Sequence, residues 1–131
     1  MKTYAICVGI VEFDEKILIL KRTQNKHFSP NEWEFVSGFI REHENAEGCV
    51  LREVKEETGL KGKIAKSGHA FETKDKYGRW VIIPFLIKVN SYKVNLDIKE
   101  HSEYKWIKTN EIDKFETVVD LKKDLETIGL L

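Results

Sequence analysis

Long apolar runs are missing from these 131 residues, and proline and cysteine are scarce at two each. Nothing approaches the roughly 20 apolar residues of a transmembrane helix. The Met1-Lys2-Thr3 start passes straight into strand-like sequence without an apolar signal core, so a cytoplasmic location is the expectation. Cys7 and Cys49 stand far apart with no metal-type spacing, and two thiols suit a reducing compartment better than a disulfide scaffold. Both read as small core residues. An excess of one charge is also lacking, since Lys plus Arg and Asp plus Glu each number 22. With no basic run and no global field, a nucleic-acid polymer is not an expected partner, and any phosphate chemistry has to come from a local site. No membrane partner is expected, and no feature sets the oligomeric state. Repeats, linkers and low-complexity segments are absent too, so residues 1–131 read as one domain with one active site.

What is present is the composition of a folded domain, 41% apolar and 34% charged. Tyr4 to Phe13 and Lys16 to Arg22 are rich in β-branched and apolar residues around Asp14-Glu15, which predicts a hairpin. Thr23 to Glu32 is a polar loop before the short apolar run Trp33 to Val36. Ala46 to Thr58 reads as a helix, with Asn45 placed to cap its start and Gly59 to end it. Lys61 to Thr73 and Arg79 to Asn90 read as two long strands with a hairpin tip at residues 74–78. Another strand falls at Glu103 to Lys108. Two helical patterns follow, a short one near Glu111 to Phe115 and a longer one with Leu121, Leu125 and Ile128 on one face. Strands dominate and helices follow them, which favours an α+β sandwich over a doubly wound sheet.

The helix over residues 46–58 carries the chemistry. Val50, Leu51, Val54 and Thr58 share one face, and Glu53, Glu56 and Glu57 share another, because residues three and four apart are neighbours. Clustered carboxylates repel, at roughly 0.2–0.5 kcal/mol per pair on a helix. A divalent cation offsets that cost, and Mg²⁺ prefers oxygen ligands while retaining water and open positions for phosphate oxygens.

The surrounding residues extend this acidic face into a longer pattern. Gly38 to Leu60, GFIREHENAEGCVLREVKEETGL, carries Gly38, Glu44, Arg52, Glu53, Val54, Glu56, Glu57, Gly59 and Leu60 at the fixed spacings of the Nudix box. The chain therefore resembles the Nudix hydrolases. The resemblance implies an α/β/α sandwich with a mixed β-sheet between helices, and metal-dependent hydrolysis of the pyrophosphate linkage in a nucleoside diphosphate derivative. It implies Mg²⁺, or Mn²⁺, as cofactor and a small nucleotide as partner. Glu53, Glu56 and Glu57 become metal ligands, joined by the backbone carbonyl of Ser37, while Arg52 orients Glu53 or braces the Glu44 loop. Glu100, in Glu100-His101-Ser102-Glu103-Tyr104-Lys105-Trp106, is similar to a family loop glutamate that reaches the metal as a further ligand or water-activating base. Which carboxylate is the base stays open. Arg22 resembles an arginine directed at substrate phosphate.

The chain also departs from the family pattern. Val36 and Ser37 replace Pro and Gly before Gly38, and His43 replaces a glycine before Glu44. The short chain and the segment Trp33 to Gly38 resemble small nucleoside triphosphate pyrophosphohydrolases of the MutT type. Tyr77 stands where dinucleoside polyphosphate hydrolases carry a base-stacking tyrosine, and Asp75 stands where ADP-ribose hydrolases carry a proline. A nucleoside triphosphate is the expected substrate, with the other two classes and a non-catalytic nucleotide sensor as alternatives.

Overall fold

A computed structural model describes residues 1–131. The hairpin forms as its sequence predicts: β1 (Thr3–Phe13) turns through Asp14 and Glu15, both in the left-handed region, into β2 (Lys16–Arg22). The run after the polar loop divides into β3 (Trp33–Glu34), which pairs with β2, and β4 (Val36–Phe39), which pairs antiparallel with β1. Helix α1 (Ala46–Thr58) follows. The first predicted long strand is in fact two, β5 (Lys63–Ser67) and β6 (Phe71–Asp75). Each pairs antiparallel with a different part of β7 (Gly78–Lys88), so the chain has to break between them. β8 (His101–Ile107) pairs with β2, a 3₁₀ turn covers Thr109–Lys114, and α2 (Leu121–Thr127) closes the fold. No helix is long and apolar enough to cross a membrane.

The sheet is mixed because β1 and β7 run parallel from Thr3↔Arg79 to Glu12↔Lys88 while the other pairings are antiparallel. Strand alternation then sends apolar side chains to both faces. Ile10, Ile17 and Ile19 pack on one side with Ile112, Leu121, Leu125 and Ile128 from the C-terminal helices. Cys7, Val11, Leu18 and Leu20 pack on the other with Cys49, Val50 and Val54 of α1. The result is a helix, sheet, helix sandwich, in which α1 lies against one face with its acidic side turned to the sheet's edge.

Both ends of α1 are fixed locally. The Asn45 side chain accepts the Gly48 N–H at 2.7 Å, and Gly59 at φ 74° directs its N–H to the Lys55 carbonyl at 2.9 Å. Glycine meets that left-handed conformation without the penalty of a Cβ. Beyond β7, the segment of residues 89–100 returns to the C-terminal end of α1, where Asn95 N–H donates to the Thr58 carbonyl at 2.8 Å. That return carries Glu100 to the acidic face of α1.

Candidate functional site

Arg52 organises the acidic end of α1. Its Nε donates to Glu44 Oε2 at 2.7 Å and its Nη2 to Glu44 Oε1 at 2.9 Å, a two-pronged pairing that holds the loop between β4 and the helix. Its Nη1 reaches Glu53 Oε1 at 3.0 Å and Glu56 Oε2 at 3.2 Å. The guanidinium holds the Glu44 carboxyl down at about 2, helped by the Arg41 backbone N–H. One side chain thus ties the loop to two of the helix glutamates.

A cavity of about 550 Å³ opens at this end of the sandwich. Glu34, Glu53, Glu56, Glu57, Asp97 and Glu100 line it, against only Arg22 and Lys26 as cations. Burial pushes Glu57 up to about 10, reinforced by Glu34, Glu53 and Glu100, with the Ser37 backbone N–H acting against the shift. Glu53 rises to about 7 through burial and a hydrogen bond with Glu56, opposed by Arg52. Acids held this far above their ordinary range lack positive charge nearby. Their oxygen chemistry fits Mg²⁺ or Mn²⁺, which would supply that charge. The acids share the cavity without forming a closed ligand group around one point. Arg52 engages Glu53 and Glu56, and Lys26 engages Glu100, so oxygens that would serve a metal are held by cations of the chain itself.

Close approach explains Gly38. A Cβ built on it would lie 1.4 Å from Oε2 of Glu53 and 2.2 Å from its Cδ. Glycine here makes room for the glutamate; its φ is not positive. Ser37, inside β4 and paired with Val8, likewise needs no left-handed backbone, so the Gly-to-Ser departure leaves the strand regular. His43 does adopt the left-handed region, at φ 65°, in the place where a glycine would be at ease.

The remaining sequence-derived residues divide. Arg22 lines the cavity, but its guanidinium is engaged by Glu34 Oε1 at 2.9 Å and by the Phe28 carbonyl at 2.9 and 3.1 Å. Tyr77 sits at the β6–β7 tip, 45% exposed, with its ring edge-on to Phe28 at 5.0 Å. Phe28 lines the cavity, so Tyr77 stands at its margin.

Several lining residues went unnoticed in the sequence, among them Lys26, Glu34, Asp97 and Trp80. His101 was read as a loop residue, yet it is 1% exposed at the start of β8, with Nε2 2.8 Å from Glu34 Oε2 and Nδ1 3.8 Å from Glu57 Oε1. Nothing in a single polar segment signals such burial. A second cavity, also about 550 Å³, lies on the α2 side of the sheet and is walled by Ile6, Val8, Phe71, Trp80 and Ile82. Ile6, Ser37 and Trp80 line both cavities, so the two are continuous.

A helix, sheet, helix sandwich with a glutamate-lined helix end defines a known class of domain. The model of the NUDIX domain matches residues 3–125, and the chain belongs to that family. It is 32% identical over 115 residues to an 8-oxo-dGTP diphosphatase of Buchnera aphidicola, covering 88% of this chain and 85% of that one. It is 34% identical over 96 residues to an ADP-ribose pyrophosphatase of Methanocaldococcus jannaschii, covering 70% of this chain but 56% of that relative. Among solved structures, a MutT protein from Methanosarcina mazei superposes with a TM-score of 0.83 at 22% identity, over 97% of this chain and 93% of that one.

Proposed function

We propose that this domain, taken as spanning residues 1–131, hydrolyses phosphoanhydride bonds of nucleoside diphosphate derivatives and prefers a nucleoside triphosphate. Water attacks phosphorus, one P–O anhydride bond breaks, and the products are a nucleoside monophosphate and pyrophosphate. The observation that carries this reading is the continuity of the two cavities: acids line one end and an apolar, aromatic-walled slot forms the other. Phosphates belong at the first and a base at the second.

Glu53, Glu56 and Glu57, with the Ser37 carbonyl, would hold Mg²⁺ or Mn²⁺, which when bound neutralises phosphate charge and acidifies water. Arg52 keeps Glu53 and Glu56 in position. Glu100 completes the acid set as a further ligand or takes the proton of the attacking water. Once Glu100 is drawn to that work, Lys26, its partner here, is released toward the departing phosphate. Arg22 contributes positive charge from the cavity wall.

One feature favours a second reading, a dinucleoside polyphosphate hydrolase: the exposed Phe28–Tyr77 pair offers a stacking surface at the mouth. Specificity constants for common triphosphates, diadenosine tetraphosphate and ADP-ribose under one metal condition decide between them. A triphosphate should lead. Preference for diadenosine tetraphosphate that disappears in Tyr77→Ala would overturn the choice.

A further inference from the structure

Asp124 is the buried polar group that the acid cavity does not explain. It lies on α2, 7% exposed, between Leu121 and Leu125, which are buried in the apolar core beneath the sheet. Its Oδ1 has no hydrogen-bond partner, and the side chain lines the apolar slot. Burial pushes its carboxyl up to about 7, with Asp120 adding to the shift and no cation opposing it. An unpartnered polar group in such a place costs the fold stability, whereas a leucine would extend the apolar stripe. The fold gains nothing from Asp124, which directs attention to what enters the slot.

Trp80, Phe71 and Ile82 give the slot flat apolar walls, and Asp124 gives it a hydrogen-bonding group away from the acid cavity. That combination suits a nucleobase lying between the walls with one edge turned to the carboxyl. Two oxygens of one carboxylate accept best from two N–H donors side by side, and charge-assisted bonds are the stronger ones. Among common bases, guanine alone presents that pair, its ring N1–H beside the 2-amino group. Adenine and cytosine set an acceptor next to the amino group, and uracil sets carbonyls on both sides of its N–H. We propose that Asp124 is the specificity residue of the slot and selects a guanine-type edge. This rests on the nucleotide hydrolase reading above.

The test compares GTP with ITP, which differ only in the 2-amino group, in the wild-type protein, Asp124→Asn and Asp124→Leu with Mg²⁺. The wild-type specificity constant should favour GTP by about tenfold or more, the worth of one charge-assisted hydrogen bond. In Asp124→Asn that ratio should fall toward one, mainly through KM, and Tm should rise in Asp124→Leu by about 3 °C or more. A merely structural aspartate would lower Tm and leave the ratio alone. Triphosphate hydrolysis with a wild-type GTP to ITP ratio near one, or a ratio unchanged by Asp124→Asn, overturns this proposal and leaves the broader reading standing. Absence of any metal-dependent nucleotide hydrolysis overturns both.

Discussion

Gly38→Ala is the sharpest perturbation of the acid site, because its effect follows from one contact. The new Cβ would sit 1.4 Å from Glu53 Oε2 and 2.6 Å from its Cγ. Carbon and oxygen need roughly 3.5 Å, so the carboxyl has to retreat by roughly 2 Å. The backbone itself tolerates alanine, since φ at this position is not positive, and the displaced group is the end of a flexible side chain. The fold should survive while the metal-binding geometry is lost. Displacing a reacting or ligating group by about 1 Å costs about 100-fold in rate, so kcat/KM should fall at least about 100-fold, or about 2.7 kcal/mol of transition-state stabilisation. Tm should move little. The assays are Mg²⁺-dependent turnover, metal titration and thermal melting, and Gly38→Ala combined with Glu53→Ala should be no worse than Glu53→Ala alone. Turnover in Gly38→Ala within threefold of wild type would refute the reasoning.

Three further outcomes are expected. Glu57→Gln should abolish most metal-dependent turnover without lowering the metal-free Tm, because a neutral amide resembles the protonated acid that burial enforces; near-normal turnover would remove Glu57 from the metal set. With Glu53 raised to about 7 and Glu57 to about 10, their contribution to metal-free stability is fully present below their ordinary pKa near 4.5. It is lost as pH rises through 7 and toward 10, so Mg²⁺ should bind more tightly, and raise Tm more, at pH 8.5 than at pH 6. A pH-independent metal affinity would contradict this. Glu100→Gln should lower kcat more than it raises KM, and an unchanged kcat at saturating metal and substrate would reduce Glu100 to a partner of Lys26. His43→Gly should stabilise the fold by about 0.5–1 kcal/mol, since relief of a left-handed residue outweighs the added freedom of the unfolded chain, and a lower Tm would count against it.

The parts of the molecule governed by local rules were legible in the sequence. Asn45 and Gly59 mark the ends of α1 because capping involves residues three and four apart, and the first hairpin follows from its pattern and turn. The division of Lys61 to Thr73 into β5 and β6 was not legible, because it depends on which stretch of β7 each half meets. The same holds at the site. The spacing of Glu53, Glu56 and Glu57 puts three acids on one face, but the engagement of Arg22 by Glu34 and Phe28 depends on where a loop returns. Asp124 did leave a trace: it is an acid on the same helix face as Leu121 and Ile128, a break in an otherwise apolar stripe.

Strand alternation links the two cavities and gives β4 its importance. Gly38 faces α1, where a Cβ would strike Glu53, whereas its neighbour Ser37 lines the slot that also contains Asp124. Phe39 returns to the Ser37 side, where its ring meets Tyr4 at 6.1 Å and Trp80 at 6.2 Å. Three consecutive residues thus address the acids, the apolar slot and the aromatic rim, and a one-residue slip of β4 against β1 would exchange those surroundings. The register Cys7↔Gly38 and Val8↔Ser37 fixes the arrangement. That register is held in turn by Val36, fully buried against the α1 core. A polar residue at position 36 would therefore disturb phosphate and base binding together, though its own side chain touches neither.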